Sequence, residues 1–347
     1  MHRCLQLASL GAGRVAPNPM VGAVLVHKNR IIGEGYHQQF GKPHAEVNCI
    51  HSVKETDRDL ISTSTLYVSL EPCAHFGKTP PCADLIIKNK IPNVVIGCRD
   101  SFTAVNGKGI ERLGAAGIEV TVGILEPDCL AMNRRFFTFH AKQRPFVILK
   151  WAQTSDGFMA QQNAGRLLIS NEYTNRLVHK WRTEEASILV GTNTALMDDP
   201  LLTARLWPGN NPVRLVIDKE LKLPAHLKLF DGSAKTVIFN RLKQAVSANI
   251  SYQQLNREEP VPDQVLTALH AMSIQSVMVE GGSKLLQSFI AAGLWDEARV
   301  IVNEQLTMGE GLKAPELKNK ILISRQKDKT DLITFYKRDE AVKANDQ

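Results

Sequence analysis

His44-Ala45-Glu46, Pro72-Cys73 and Pro81-Cys82 follow one another in the first quarter of the chain. One imidazole and two thiols are the donor set of a catalytic zinc site, which takes three protein ligands and keeps a fourth position open for water. Zinc lowers the pKa of such a water from about 15.7 to about 7, so it ionises near neutral pH. Glu46 stands two residues from His44, near enough to share its cavity and carry protons. Each fragment alone is weak; the ordered combination, with a proline before each cysteine, is far more specific. A closed structural site would need a fourth ligand, and His75 is the residue on offer.

The surroundings set the fold. Residues 44–54 have a helical pattern, and so do 81–89, where Pro81 suits a first turn with Cys82 at its start. Backbone N–H groups at such a start favour a thiolate. The residues between the cysteines form a loop carrying the cation Lys78 and the hydroxyl of Thr79. Residues 21–26 and 30–36 read as a hairpin, and 65–70, 93–98 and 118–122 as strands, with helices at 2–12 and 109–116. Strands alternating with helices imply a three-layer α/β unit. The pattern breaks in a basic and aromatic stretch around 134–144, then restarts with strands near 146, 187, 213, 236, 276 and 298 and helices at 171–184, 262–272 and 284–291. The expected domains are therefore 1–143 and 144–337, both α/β, with a frayed polar tail over 338–347.

Composition narrows the partners. The net charge of +7 suits acidic ligands such as phosphorylated metabolites. The cations are dispersed, which favours a solvated basic surface over a nucleic-acid patch. Six cysteines in unrelated contexts fit a reducing compartment, and Cys4, Cys49, Cys98 and Cys129 read as small buried hydrophobes. No secretory leader or long apolar run is seen, so the expected location is the cytoplasm, with no membrane partner.

In the second half, Glu280-Gly281-Gly282-Ser283 joins a strand to an apolar helix. That is either an anion cradle at a helix N-terminus or an ordinary turn. It is not a G-x-G-x-x-G fingerprint, so a Rossmann domain is not supported. Arg182 and Arg205 are suited to a phosphate, although such residues are more often surface arginines.

The H-x-E…P-C order is that of zinc deaminases, in which the glutamate is not a ligand. Asn18-Pro19-Met20-Val21-Gly22, Gly33-Glu34-Gly35-Tyr36-His37, Pro43-His44-Ala45-Glu46-Val47 and the run Glu71-Pro72-Cys73-Ala74-His75-Phe76-Gly77-Lys78-Thr79-Pro80-Pro81-Cys82 resemble the bifunctional riboflavin-biosynthesis deaminase/reductase family. Thr154-Ser155-Asp156-Gly157 and residues 191–205 resemble its reductase half. The resemblance implies a cytidine-deaminase-like domain followed by a dihydrofolate-reductase-like domain. It implies one zinc held by His44, Cys73 and Cys82, with Glu46 as proton carrier. It implies NADPH contacts at Ala152, Thr194, Asp198 and the run Gly282-Ser283-Lys284-Leu285-Leu286-Gln287-Ser288. It places Arg182, Leu202, Arg205 and Glu280 on the sugar phosphate, with Lys150 and Asp156 nearby. The implied reactions are hydrolytic deamination of 2,5-diamino-6-(5-phosphoribosylamino)pyrimidin-4(3H)-one and NADPH-dependent reduction of its ribosyl group to ribityl, in a homo-oligomer.

Departures from the family are Arg166 and Leu168, where Ser and Trp are usual, and Lys219, where Ser is frequent. The family usually has several more residues before its first helix. The rival expectations are a nucleoside or tRNA deaminase with an unrelated C-terminal domain, and a zinc-stabilised binding module.

Overall fold

Ala23 and Leu25 leave one side of β1 (Gly22–His27), while Val24 and Val26 leave the other, and each pair enters a different core cluster. That alternation buries both faces of a sheet and demands helices on each. The computed structural model describes residues 1–74, 76, 80–100, 106–161 and 167–341. The chain divides into two compact units, Met1–Gln143 and Arg144–Gln347.

In the first unit, α1 (His2–Ser9), β1, β2 (Arg30–Tyr36), α2 (Ala45–His51), β3 (Thr65–Leu70), α3 (Cys82–Lys88), β4 (Asn93–Cys98), α4 (Lys108–Ala115), β5 (Glu119–Val122), α5 (Glu126–Met132) and α6 (Arg134–Lys142) follow in order. The sheet order is β2-β1-β3-β4-β5. β1 pairs antiparallel with β2 and β3, whereas β3, β4 and β5 run parallel. Ala45, Cys49 and Ile50 of α2, Ala83 and Ile86 of α3 and Leu113 of α4 cover one face. Cys4 and Leu7 of α1, Cys129 of α5 and Phe137 of α6 cover the other. The basic and aromatic stretch that broke the sequence pattern is α6, whose Phe136 and Phe139, one turn apart, are both buried.

The second unit runs β6 (Phe146–Thr154), β7 (Phe158–Ala160), α7 (Glu172–Glu184), β8 (Ser187–Gly191), α8 (Thr192–Asp198), β9 (Val213–Ile217), β10 (Thr236–Asn240), β11 (Ala245–Val246), β12 (Ile250–Gln254), α9 (Val261–Ala271), β13 (Ser276–Val279), α10 (Ser283–Ala291), β14 (Glu297–Asn303), β15 (Leu312–Lys313), β16 (Lys320–Asp328) and β17 (Asp331–Arg338). Ten strands form one sheet in the order β11-β12-β10-β9-β8-β13-β6-β14-β17-β16, parallel from β12 to β14. Val147, Leu149 and Trp151 of β6 face α9 and α10, and Phe146 and Ile148 face α7. Asn171 starts α7 because its side chain accepts the N–H groups of Tyr173 and Thr174, each at 3.0 Å. The chain leaves β8 towards β9 and leaves β13 towards β14 on the opposite side, so these neighbours form a topological switch point, where open α/β sheets bind ligands. Of the segment expected to fray, Arg338 instead closes β17, and residues 342–347 lie outside the described residues.

Candidate active sites

His44 sits at the N-cap of α2, with extended backbone that turns its ring out of the helix. Cys82 is the first residue of α3, and Pro81 is its N-cap, one position earlier than the sequence suggested. Cys73 follows β3. His44 Nδ1 lies 3.7 Å from Cys73 Sγ and 3.4 Å from Cys82 Sγ. All the donor atoms fall within 4.8 Å of one another. Tetrahedral zinc, with bonds near 2.3 Å to sulfur and 2.0–2.1 Å to nitrogen, separates N and S donors by about 3.6 Å. The donor set therefore fits that ion in kind and in spacing. Among the described residues the cluster has no fourth member, and His75, Lys78 and Thr79 lie outside them.

One of the two thiols is poised as a thiolate, while the Cys82 thiol is pushed up by its hydrogen bond to Cys73 and by burial. Cys73 is pulled down to about 4 by the hydrogen bond from the Cys82 thiol, which outweighs burial, and by His44 and the Cys82 N–H. That N–H, at the start of α3, donates to Cys73 Sγ at 3.3 Å. The sequence anticipated a helix-start N–H favouring a thiolate; the sulfur it favours is that of Cys73. The cysteines read as small hydrophobes behave so: Cys4, Cys49, Cys98 and Cys129 are buried, and burial pushes Cys4 up to about 12.

Glu46, in the first turn of α2, is 3% exposed. Burial, then the neighbouring Cys73, raises its pKa. A carboxyl shifted in this direction is a better proton acceptor than an exposed one. Two further residues stand beside His44. His37 packs edge-on against the His44 ring, with centroids 5.4 Å apart. Its ring nitrogens are held by Asn18 Nδ2 at 3.1 Å and the Pro43 carbonyl at 3.1 Å. Burial lowers its pKa. Asn18 and His37 had no assigned role from sequence; only their place in the matching motifs pointed to them.

The second unit has its own cavity, of about 1200 Å³, at the carboxyl ends of β6, β8, β9 and β13. Ala152, Thr194 and Asp198 line it, as do Gly282, Ser283, Lys284, Leu285 and Ser288. Gly282 turns the chain from β13 into α10 at φ 78°, a backbone region that favours glycine. Leu286 points instead into the core, and Gln287 accepts the Glu316 N–H at 3.1 Å. An α-helix presents only part of a consecutive run to one side, so these two side chains lie off the cavity wall. Among the expected substrate residues, Arg182, Leu202 and Glu280 line the cavity, as does Lys150. Arg205 is not among its lining residues; its guanidinium donates to Thr203 Oγ1 at 3.0 Å. Asp156, expected nearby, is not a lining residue; its carboxylate accepts the N–H groups of Met308 and Gly309 at 2.9 and 2.7 Å. Leu168 and Lys219 line the cavity, while Arg166 lies outside the described residues. Met197, Asn193 and Lys222, which the sequence did not single out, line it too.

Arg182 is committed to Glu280. Its Nε and Nη2 donate to the two carboxylate oxygens at 2.9 and 2.7 Å, and Nη1 donates to the Thr203 carbonyl at 3.2 Å. This fork neutralises Arg182, so it orients Glu280 more than it offers charge to a phosphate. Burial opposes ionisation of Glu280, but Arg182 and Lys150 outweigh it and hold the carboxyl at about 2. His179, buried beside this pair, is lowered to about 4 by burial, Arg182 and Arg205. Its folded pKa lies below the ordinary 6.5, so its contribution to stability is full above about 6.5 and falls as pH drops towards about 4. All four tryptophans, Trp151, Trp181, Trp207 and Trp295, are in this unit, so urea unfolding followed by their fluorescence reads it alone. His179→Gln is expected to flatten that pH window; an unchanged slope would remove His179 as its cause.

Among the described residues, no helix is long and apolar enough to cross a membrane. A family model described as cytidine and deoxycytidylate deaminase zinc-binding region matches residues 1–98, and one described as RibD C-terminal domain matches residues 145–319. The riboflavin biosynthesis protein RibD of Aquifex aeolicus is 37% identical over 351 residues, covering 97% of each chain. That of Bacillus amyloliquefaciens is 39% identical over 306 residues, covering 86% of this chain and 81% of its own. The crystal structure of a Thermotoga maritima diaminohydroxyphosphoribosylaminopyrimidine deaminase/5-amino-6-(5-phosphoribosylamino)uracil reductase superposes with a TM-score of 0.89 at 36% identity, covering 97% of both chains. With a zinc-deaminase unit, a dihydrofolate-reductase-like unit and relatives matched almost end to end, the chain belongs to the RibD family of bifunctional deaminase/reductases of riboflavin biosynthesis.

Proposed function

We propose that the first unit removes the ring amino group of 2,5-diamino-6-(5-phosphoribosylamino)pyrimidin-4(3H)-one, with His44, Cys73 and Cys82 as zinc ligands and Glu46 as proton carrier. The second unit then reduces the ribosyl group of the product to ribityl with NADPH. The observation that carries this reading is the convergence of one imidazole and two thiols beside a buried glutamate.

Zinc, when bound, supplies water that ionises near neutral pH. Glu46 accepts the proton that this water loses as its oxygen bonds to the amino-bearing ring carbon. The Glu46 carboxyl passes that proton to the ring nitrogen, then takes the proton of the hydroxyl now on the ring carbon and hands it to the departing amine, so that the carbonyl forms as the C–N bond breaks and ammonia leaves. Burial of Glu46 keeps bulk water from taking the proton instead. His37, held by Asn18, stands beside the His44 ring.

In the second unit NADPH supplies the hydride, and the protein orients the partners. A cavity of about 1200 Å³ exceeds the roughly 300–1,000 Å³ of common ligand pockets, as a dinucleotide beside a sugar phosphate requires. Lys219, Lys222 and Lys284 line it and offer cations to phosphates. Lys150 and the Arg182–Glu280 pair fix the sugar end.

One assay tests both halves: the phosphoribosylamino pyrimidine is supplied with NADPH, and ammonia and NADPH oxidation are followed together. Ammonia is expected first, then oxidation of one NADPH per ammonia, from protein holding about one zinc per chain. Deamination by zinc-free protein, or ammonia without any NADPH oxidation, would sink the corresponding half.

A further inference from the structure

We propose that α4 is a brace for both cysteine segments of the metal site, with Glu71 and Arg112 as its positioning residues; this rests on the assignment of Cys73 and Cys82 as zinc ligands. Glu71 stands two residues before Cys73 and is 4% exposed. Its Oε1 accepts the N–H groups of Gly109 and Ile110 at 3.0 and 3.3 Å, and its Oε2 those of Asp100 and Gly107 at 3.2 and 3.1 Å. The first turn of a helix leaves such N–H groups without intrahelical partners. Gly107, at the N-cap of α4, has no side chain to satisfy them. Glu71 is therefore the cap of α4, supplied from the end of another element, and its negative charge suits the helix N-terminus. The approach is tight: a Cβ at Gly109 would overlap the Pro72 carbonyl oxygen, so residue 109 must be glycine.

One turn further along α4, Arg112 reaches past Cys73 to the other cysteine. Its Nη1 donates to the Ala74 carbonyl at 3.2 Å, and its Nε pairs with Asp84 Oδ1 at 2.6 Å. Ala74 directly follows Cys73, and Asp84 lies in the first turn of α3, two residues after Cys82. A single helix thus grips the chain before Cys73, after Cys73 and beside Cys82. The Ala83 N–H adds a direct tie to the Cys73 carbonyl at 3.1 Å. Glu71 does not belong to the cluster of convergent donors, and both its oxygens are taken by backbone N–H groups. It acts through Cys73 and is neither a ligand nor a second proton carrier.

Outer partners of this kind hold ligand geometry, and their loss typically costs about 10–100-fold in metal affinity or activity. The test uses the zinc-loaded full chain, mixed with excess chelating dye, and reads the rate of zinc release. Far-UV circular dichroism matching that of the wild type confirms that each variant is otherwise folded. Arg112→Ala is expected to release zinc roughly tenfold faster and Glu71→Gln up to about a hundredfold faster, with Arg112→Lys, which keeps one of two contacts, in between. A merely structural α4 would lower the melting temperature of the zinc-free chain and leave release unchanged; release at the wild-type rate in Arg112→Ala and Arg112→Lys overturns the proposal. Arg112 is 43% exposed, so its replacement decides the matter even where Glu71→Gln misfolds. Wild-type protein that binds no zinc overturns the ligand assignment itself, and the brace with it.

Discussion

In the Glu46→Gln protein, ammonia release is expected to fall by about 10²–10⁴-fold, the range for loss of a positioned acid–base group. Glutamine has nearly the same shape, so the buried site around it should not collapse. It has no titratable proton, and so it can neither take one from water nor return one to the leaving amine. Zinc content should stay at the wild-type level, because Glu46 is not one of the converging donors. NADPH oxidation on substrate that has already been deaminated should be unchanged. Two outcomes would count against this assignment: ammonia release within a fewfold of wild type removes Glu46 as the proton carrier, and parallel loss of both activities contradicts separate sites.

Glu280→Ala is the corresponding test of the second unit. It leaves Arg182, whose side chain is 13% exposed, without the carboxylate that receives two of its bonds. Removing one partner of a buried pair costs about 3–5 kcal/mol, because the remaining charge is stranded. The expected result is a large fall in the urea midpoint read by tryptophan fluorescence, together with loss of NADPH oxidation, while ammonia release persists. The double replacement Arg182→Met with Glu280→Leu separates the two effects. It should recover most of the stability, since an apolar pair can replace a buried ion pair, and should not recover reduction. Recovery of both would make the pair a packing device only.

The pH dependence of the same pair has a defined sign. Glu280 is held at about 2, below its ordinary 4.5, so its stabilisation is present above about 4.5 and fades as pH falls towards about 2. The stability gap between wild type and Glu280→Ala should therefore be level from pH 5 upward.

The differences between sequence and fold have local causes. β16 was not anticipated, because Lys320–Asp328 is an edge strand with almost every residue exposed, so no alternation marks it. α6 was hidden because its charged residues interrupt the apolar stripe, although Phe136 and Phe139 keep helical spacing. Leu286 and Gln287 were carried into the cofactor set by a continuous motif, and the helix turned them away from the cavity. Asp156 matched a motif equally well and was claimed by backbone N–H groups 152 and 153 residues further on.

What the sequence determined by itself was the chemistry of the metal site and the alternation of strands and helices in both halves. Zinc accepts few residue types, and hydrophobic period is a local property, so both are written into short stretches. The tertiary structure alone decided which charges are spoken for. Arg182 finds Glu280 98 residues away, and Glu71 finds the start of α4 38 residues away. Such pairings depend on strand order and helix packing, which no local pattern encodes. They give Arg182, an expected substrate residue, a carboxylate partner, and give Glu71 the start of α4 to cap.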